Sequence, residues 1–111
     1  MDAAAFVPTN PLDLSRHQPD FVVVSFYKMF GCPTGLGCLL VRADAIDVLQ
    51  DSYWGGGQVA LATAGSDFRV MHCQPSERLE DGTQAFLDIA SIKHGFAAIE
   101  ASCCGCCVDL I

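Results

Sequence analysis

No apolar run in this chain approaches the ~18 residues that a membrane-spanning helix needs, although 51% of its 111 residues are hydrophobic. Basic residues are scarce: 6 Lys and Arg stand against 13 Asp and Glu, a net charge of −7. That balance argues against nucleic acid or an anionic membrane as a partner, while a phosphate can still be held locally by backbone N–H groups. A basic region ahead of an apolar one, the pattern of a secretory signal, is missing, and the expected location is cytoplasmic. His17, His72 and His94 are far apart and show no metal-ligand spacing, so no metal is assigned to them.

What is present is an excess of apolar strand. The length suits one domain at most, with a modest core. A mean hydropathy of +0.35 is high for so short a soluble chain and is expected of interior strands belonging to a larger protein. Phe21 to Phe26 and Leu36 to Val41 read as strands around a Gly/Pro-punctuated turn, Gly31-Cys-Pro-Thr-Gly35. The connection is too short for a crossover, so the two strands should run antiparallel. Asp44 is placed to cap a short helix through about Gln50, and Phe68 to Cys73 alternates as a strand. From Thr83 the spacing of Phe86, Ile89, Ala90, Ile92, Phe96 and Ile99 predicts a helix to about Glu100. Pro8, Pro11 and Pro19 mark an irregular link ahead of the first of these strands. The pattern predicts an α/β layer.

Lys28 stands where the two apolar strands converge, and it has no obvious charge partner in the sequence. An amine near low-dielectric walls loses proton affinity and can attack a carbonyl, the requirement for Schiff-base chemistry. A lysine closing a hairpin at the surface has the same local sequence. Gly55-Gly56-Gly57 can bring backbone N–H groups close to an anion or can form a turn between elements. Asp2 can be a solvated terminal residue, Ser25 a polar strand end and Tyr27 a packing ring.

The order of these residues resembles the class V aminotransferase-like enzymes that use pyridoxal phosphate. Their lysine motif has the form Asp-x-x-x-x-Ser-x-His-Lys followed by a Gly-Pro-Thr-Gly turn. Here Asp20, Ser25 and Lys28 are in register, with Tyr27 where histidine is usual. The aromatic-flanked lysine in Ser25-Phe-Tyr-Lys-Met-Phe-Gly-Cys-Pro-Thr-Gly-Leu-Gly37 is similar to the molybdenum cofactor sulfurase branch. Asp2-Ala-Ala-Ala5 matches the family's Asp-x-Ala motif, Tyr53-Trp-Gly-Gly-Gly-Gln-Val59 its glycine-rich loop, and Arg78-Leu-Glu-Asp-Gly-Thr83 its acidic-Gly-Thr lead-in to a long helix. Four ordered motifs over residues 2 to 100 are far more specific than any one of them.

The resemblance implies an α/β fold, part of the large domain of a fold-type I pyridoxal-phosphate transferase, with a mixed and mostly parallel sheet. It implies pyridoxal 5'-phosphate as cofactor and Lys28 as the catalytic Schiff-base lysine and base. Asp2 would keep the pyridine nitrogen protonated, and Ser25 and Tyr27 would donate to the cofactor phosphate. Gly56, Gly57 and Gln58 would reach a phosphate across a homodimer interface, with Gln58 where the family has a small hydroxyl residue. The implied reaction transfers sulfur from L-cysteine to the molybdenum cofactor. A same-fold alternative is a cysteine desulfurase serving iron–sulfur assembly, against which Tyr27 in place of histidine argues.

A complete class V domain is several times longer, so residues 1–100 are expected to be an internal fragment that is inactive by itself. The persulfide cysteine and the substrate arginine are expected outside this chain. Cys32, Cys38 and Cys73 read as ordinary reduced thiols. The other four of the seven cysteines fall in Cys103-Cys-Gly-Cys-Cys107, within a 101–111 tail expected to stand apart from the fold. That tail carries Cys-x-x-Cys spacing twice, which leaves a noncatalytic fragment with a metal-binding tail as the reading of a different class.

Overall fold

The computed structural model describes residues 1–31, 35–50 and 52–102. The centre of the expected turn, at 32–34, and the cysteine-rich stretch at 103–111 lie outside the described residues. Contacts divide the chain into two compact units, one comprising Met1–Ala45 with Ala85–Ile111, the other Ile46–Gln84.

In the first unit, β1 (Phe21–Ser25) pairs antiparallel with β2 (Gly37–Val41), in register from Phe21 opposite Val41 to Ser25 opposite Gly37. The expected hairpin is therefore present. Alternation along β1 buries Val22 and Val24, which form a small core with Ala3, and Val7, Leu12, Met29 and Cys38 pack against it. On the other face Val23 and Leu39 are direct partners and about half exposed. A strand apolar on both faces is the type that sits inside a covered sheet.

Asp2 makes a parallel bridge to Val23. The Ala3 N–H donates to the Val23 carbonyl at 2.9 Å, and the Val23 N–H to the Met1 carbonyl at 3.0 Å. Pairing is thus mixed among the described residues, with two antiparallel ladders and this parallel bridge.

The residues flanking the hairpin base are tied by charge. Arg42 lies 2.7 Å from the Asp20 carboxylate and 2.5 Å from that of Asp44, and its Nη1 donates to the Gln18 carbonyl at 3.0 Å. All three charged side chains are exposed, so the cluster holds geometry more than it adds stability. It also changes the role expected of Asp44. A 3-10 helix runs over Ala43–Val48, putting Asp44 inside the first turn with its carboxylate on Arg42, and the helix stops short of Gln50.

α1 (Tyr27–Phe30) is a single turn between β1 and β2. The long helix, α3 (Phe86–Ser102), begins three residues later than its periodicity suggests. Gln84 donates its side-chain amide to the Gly82 carbonyl, and the first helical bond described runs from the Ile89 N–H to the Ala85 carbonyl. Ile92, Gly95, Phe96 and Ile99 form its half-buried to buried stripe, while Phe86, Leu87 and Ile89 stay exposed.

In the second unit, β3 (Val59–Ala62) pairs antiparallel with β4 (Arg69–Met71), with a bulge between Val59 and Leu61. β4 is shorter than the Phe68 to Cys73 expected of it. α2 (Pro75–Arg78) starts on a proline, which suits the first turn because its missing N–H is not needed there.

Candidate functional site

Lys28 sits on α1, immediately past the C-terminal end of β1, the end of a strand at which α/β sheets commonly place ligands. The turn has no side-chain cap. It is held instead by the Phe26 N–H donating to the Leu36 carbonyl at 3.1 Å, and by Gly31, whose φ of 63° lets its N–H return to the Tyr27 carbonyl. Phe30 is half buried and two residues beyond Lys28, a rotation of about 200° around a helix. Burying Phe30 therefore turns Lys28 outward.

The amine is exposed, with Nζ 5.8 Å from the centroid of the Tyr27 ring, within cation–π range. Here the structure corrects the expectation from sequence. The apolar strands that flank Lys28 in the chain do not wall it in, because the helical turn carries it past the end of β1.

A pyridoxal-phosphate site requires an amine, a carboxylate for the ring nitrogen and donors for the phosphate. The first unit brings these types together around one strand. Ser25 is the last residue of β1, half buried, and Tyr27 opens α1 with its ring partly exposed. The Asp2 backbone lies beside Val23 of the same strand. Its carboxylate is exposed, with Oδ1 accepting from the Ala4 N–H at 2.9 Å. Lys28 has no ion pair among the described residues. Amine, carboxylate, hydroxyl and phenol are thus presented on exposed or partly exposed side chains, and this donor set fits the cofactor.

The glycine run belongs to the second unit, and its backbone is largely engaged. Gly55 donates to Gln58 Oε1 at 3.0 Å, Gly57 to the Asp81 carbonyl at 3.1 Å, and Gln58 to the Gly55 carbonyl at 3.1 Å. Gln58 is only 2% exposed, so its side chain closes the loop on itself instead of standing out as a phosphate donor. This differs from the role expected for Gly56, Gly57 and Gln58: only the Gly56 N–H remains without a described partner among residues 55 to 58.

The glycines answer a packing need. A Cβ at Gly55 would collide with the Asp81 carbonyl oxygen, and one at Gly57 would lie 2.8 Å from the Glu80 carbonyl oxygen, whereas Gly56 has open space. The glycine-rich and acidic-Gly-Thr motifs, separate in sequence, are packing partners. Gly55→Ala should therefore destabilise the chain by about 1–3 kcal/mol, the usual cost of overpacking, and Gly56→Ala by less than about 0.5 kcal/mol. Urea midpoints of the two variants check this, and equal midpoints would contradict it.

By sequence, Asp20 belongs to the motif register. The structure shows what it touches, namely Arg42. The signal was available: with Phe21 opposite Val41, positions 20 and 42 must flank the same end of the hairpin.

Comparison with known proteins identifies the family to which the chain belongs. The aminotransferase class-V family model matches residues 1–103. The molybdenum cofactor sulfurase of Bos taurus is 57% identical over 100 residues, covering 90% of this chain and 11% of that protein. The molybdenum cofactor sulfurase of Homo sapiens is 52% identical over the same length, and 11% of it is likewise covered. Among solved structures, apo cysteine desulfurase from Thermococcus onnurineus NA1 superimposes with a TM-score of 0.77 at 27% identity, over 90% of this chain and 24% of that one. The chain spans little more than a tenth of the length of these curated relatives.

Proposed function

Because the chain belongs to the aminotransferase class-V family, we propose that it carries the lysine-bearing part of a pyridoxal-phosphate site that transfers sulfur from L-cysteine toward the molybdenum cofactor. The observation that carries this reading is Lys28 exposed at the end of β1, on the strand against which the Asp2 backbone is paired. Bound pyridoxal phosphate supplies an electron sink that eases bond cleavage in an amino acid.

The chain's own residues would hold and serve that group. The Lys28 amine would hold the cofactor covalently and, when free, would take up or return a proton at Nζ. The Asp2 carboxylate would keep a proton on the ring nitrogen. The Ser25 hydroxyl and the Tyr27 phenol would donate to phosphate oxygens; a phenol contributes a hydrogen bond without charge, so the phosphate would be less neutralised than a histidine would leave it. A homodimeric, cytoplasmic enzyme is part of the same proposal. The 111 residues by themselves are expected to release no sulfur, since orientation and electrostatics from a complete site supply most of an enzyme's acceleration.

Sulfurase is favoured over cysteine desulfurase by the 57% identity to the former and by Tyr27 in place of histidine. Of the two lysines in this chain, Lys28 and Lys93, the assignment rests on Lys28. Borohydride reduction of the full-length protein with pyridoxal phosphate, followed by peptide mapping, should place the pyridoxyl adduct on Lys28. An adduct on another lysine would remove the basis of the assignment.

A further inference from the structure

α1 is a single turn without a side-chain cap, yet it must hold the Lys28 amine to a fraction of an ångström if that amine is to react. Its lateral support comes from α3. Phe30, on the side of α1 opposite Lys28, stacks with Phe26 (centroids 6.0 Å apart, planes at 15°) and meets Phe96 edge-on at 5.0 Å. Phe26 and Phe96 are also edge-on, at 6.3 Å. The three rings form a closed triangle joining the end of β1, α1 and α3.

The fourth member of this cluster is Gly95, the one buried residue of α3. A Cβ there would stand 2.5 Å from Cγ and 2.8 Å from Cε2 of the Phe30 ring. Those atoms include the root of the ring, so a small rotation at its tip would not relieve the clash. Phe26 and Phe96 restrict a larger swing. A glycine in the interior of a helix costs stability relative to alanine, and here the missing side chain is the space that Phe30 fills.

We infer that Gly95 is a positioning residue for Lys28, acting through Phe30: the ring seats in the space above Gly95, and this sets the rotation of α1 that presents the amine. The inference rests on Lys28 being the cofactor lysine. Any side chain at position 95 pushes Phe30 out, turns or lifts α1, and misplaces Nζ while leaving β1 and β2 paired.

The test uses the full-length protein with three variants, Gly95→Ala, Phe30→Ala and the double Gly95→Ala/Phe30→Leu, and two readouts. The first is amide hydrogen exchange of Met29, Phe30 and Gly31 without cofactor; the second is pyridoxal-phosphate affinity from visible absorbance. Gly95→Ala should speed that exchange and weaken affinity by at least about tenfold, in keeping with the strain of overpacking. The double variant, with a smaller and more adaptable side chain at 30, should recover most of both. Unchanged affinity in Gly95→Ala would overturn the inference, as would failure of the double variant to recover it. If Gly95→Ala does not fold, Phe30→Ala decides, because wild-type affinity without the ring would equally overturn it. Trapping of cofactor on another lysine would refute the functional reading and end the positioning role, while the exchange data would still report on the packing of Phe30 over Gly95.

Discussion

Lys28→Ala in the full-length protein is expected to lose the visible absorbance of bound pyridoxal phosphate and to lower cysteine-dependent sulfur release by about 10²–10⁴-fold or more, the range associated with losing a positioned proton-transfer group alone. The loss should be one of chemistry and not of folding. Lys28 is exposed, has no ion pair among the described residues, and lies opposite the ring that anchors α1. Alanine in that turn removes no core contact, so circular dichroism and the urea midpoint should stay close to wild type. Lys93, exposed on α3, is the internal control. Sulfide assays on both variants decide the matter: turnover retained in Lys28→Ala, or lost in Lys93→Ala, would show that the amine has been misassigned.

Asp2→Ala should separate cofactor retention from turnover. The attachment of residues 1–3 to β1 is made by main-chain groups, Ala3 N–H to Val23 O and Val23 N–H to Met1 O, and a side-chain substitution does not remove them. What is lost is the exposed carboxylate and its bond to the Ala4 N–H. Some cofactor should therefore remain attached through Lys28 and held by its phosphate. Without a carboxylate to hold the proton on the ring nitrogen, electron withdrawal fails, and sulfur release should fall by about 10²–10³-fold, comparable to removing one preorganised electrostatic partner. The measurement pairs bound-cofactor absorbance with sulfide release. Wild-type turnover in Asp2→Ala would mean that another residue serves the ring nitrogen.

Much of this was legible in the residues. Two apolar runs around a Gly-x-Pro-x-Gly turn specify an antiparallel hairpin, because the period of two and the short connection admit little else. The Asp20, Ser25 and Lys28 register and the three companion motifs name the family, and the family match confirms it. The long helix was visible in its periodicity, with its start misplaced by three residues; ahead of it the Gln84 side-chain amide donates to the Gly82 carbonyl. β3 was not foreseen; it is short, it follows a glycine loop directly, and it is defined by its partner β4 more than by its own pattern.

Local sequence determined the strands, the hairpin and the types of chemical group near Lys28, since those depend on neighbours a few residues apart. Tertiary structure decided the rest. It turned Lys28 outward by burying Phe30 against Gly95, which lies 65 positions later and whose missing side chain has meaning only once α3 is docked. It folded Gln58 inward onto Gly55 and assigned the glycines to close backbone packing against residues 80 to 82. It drew Asp44 from a helix cap to an ion pair, because Arg42 was already positioned by the hairpin register. Each of these rests on a contact whose partner is chosen by packing, and a residue's own sequence neighbourhood holds no record of which distant atom will occupy the space beside it.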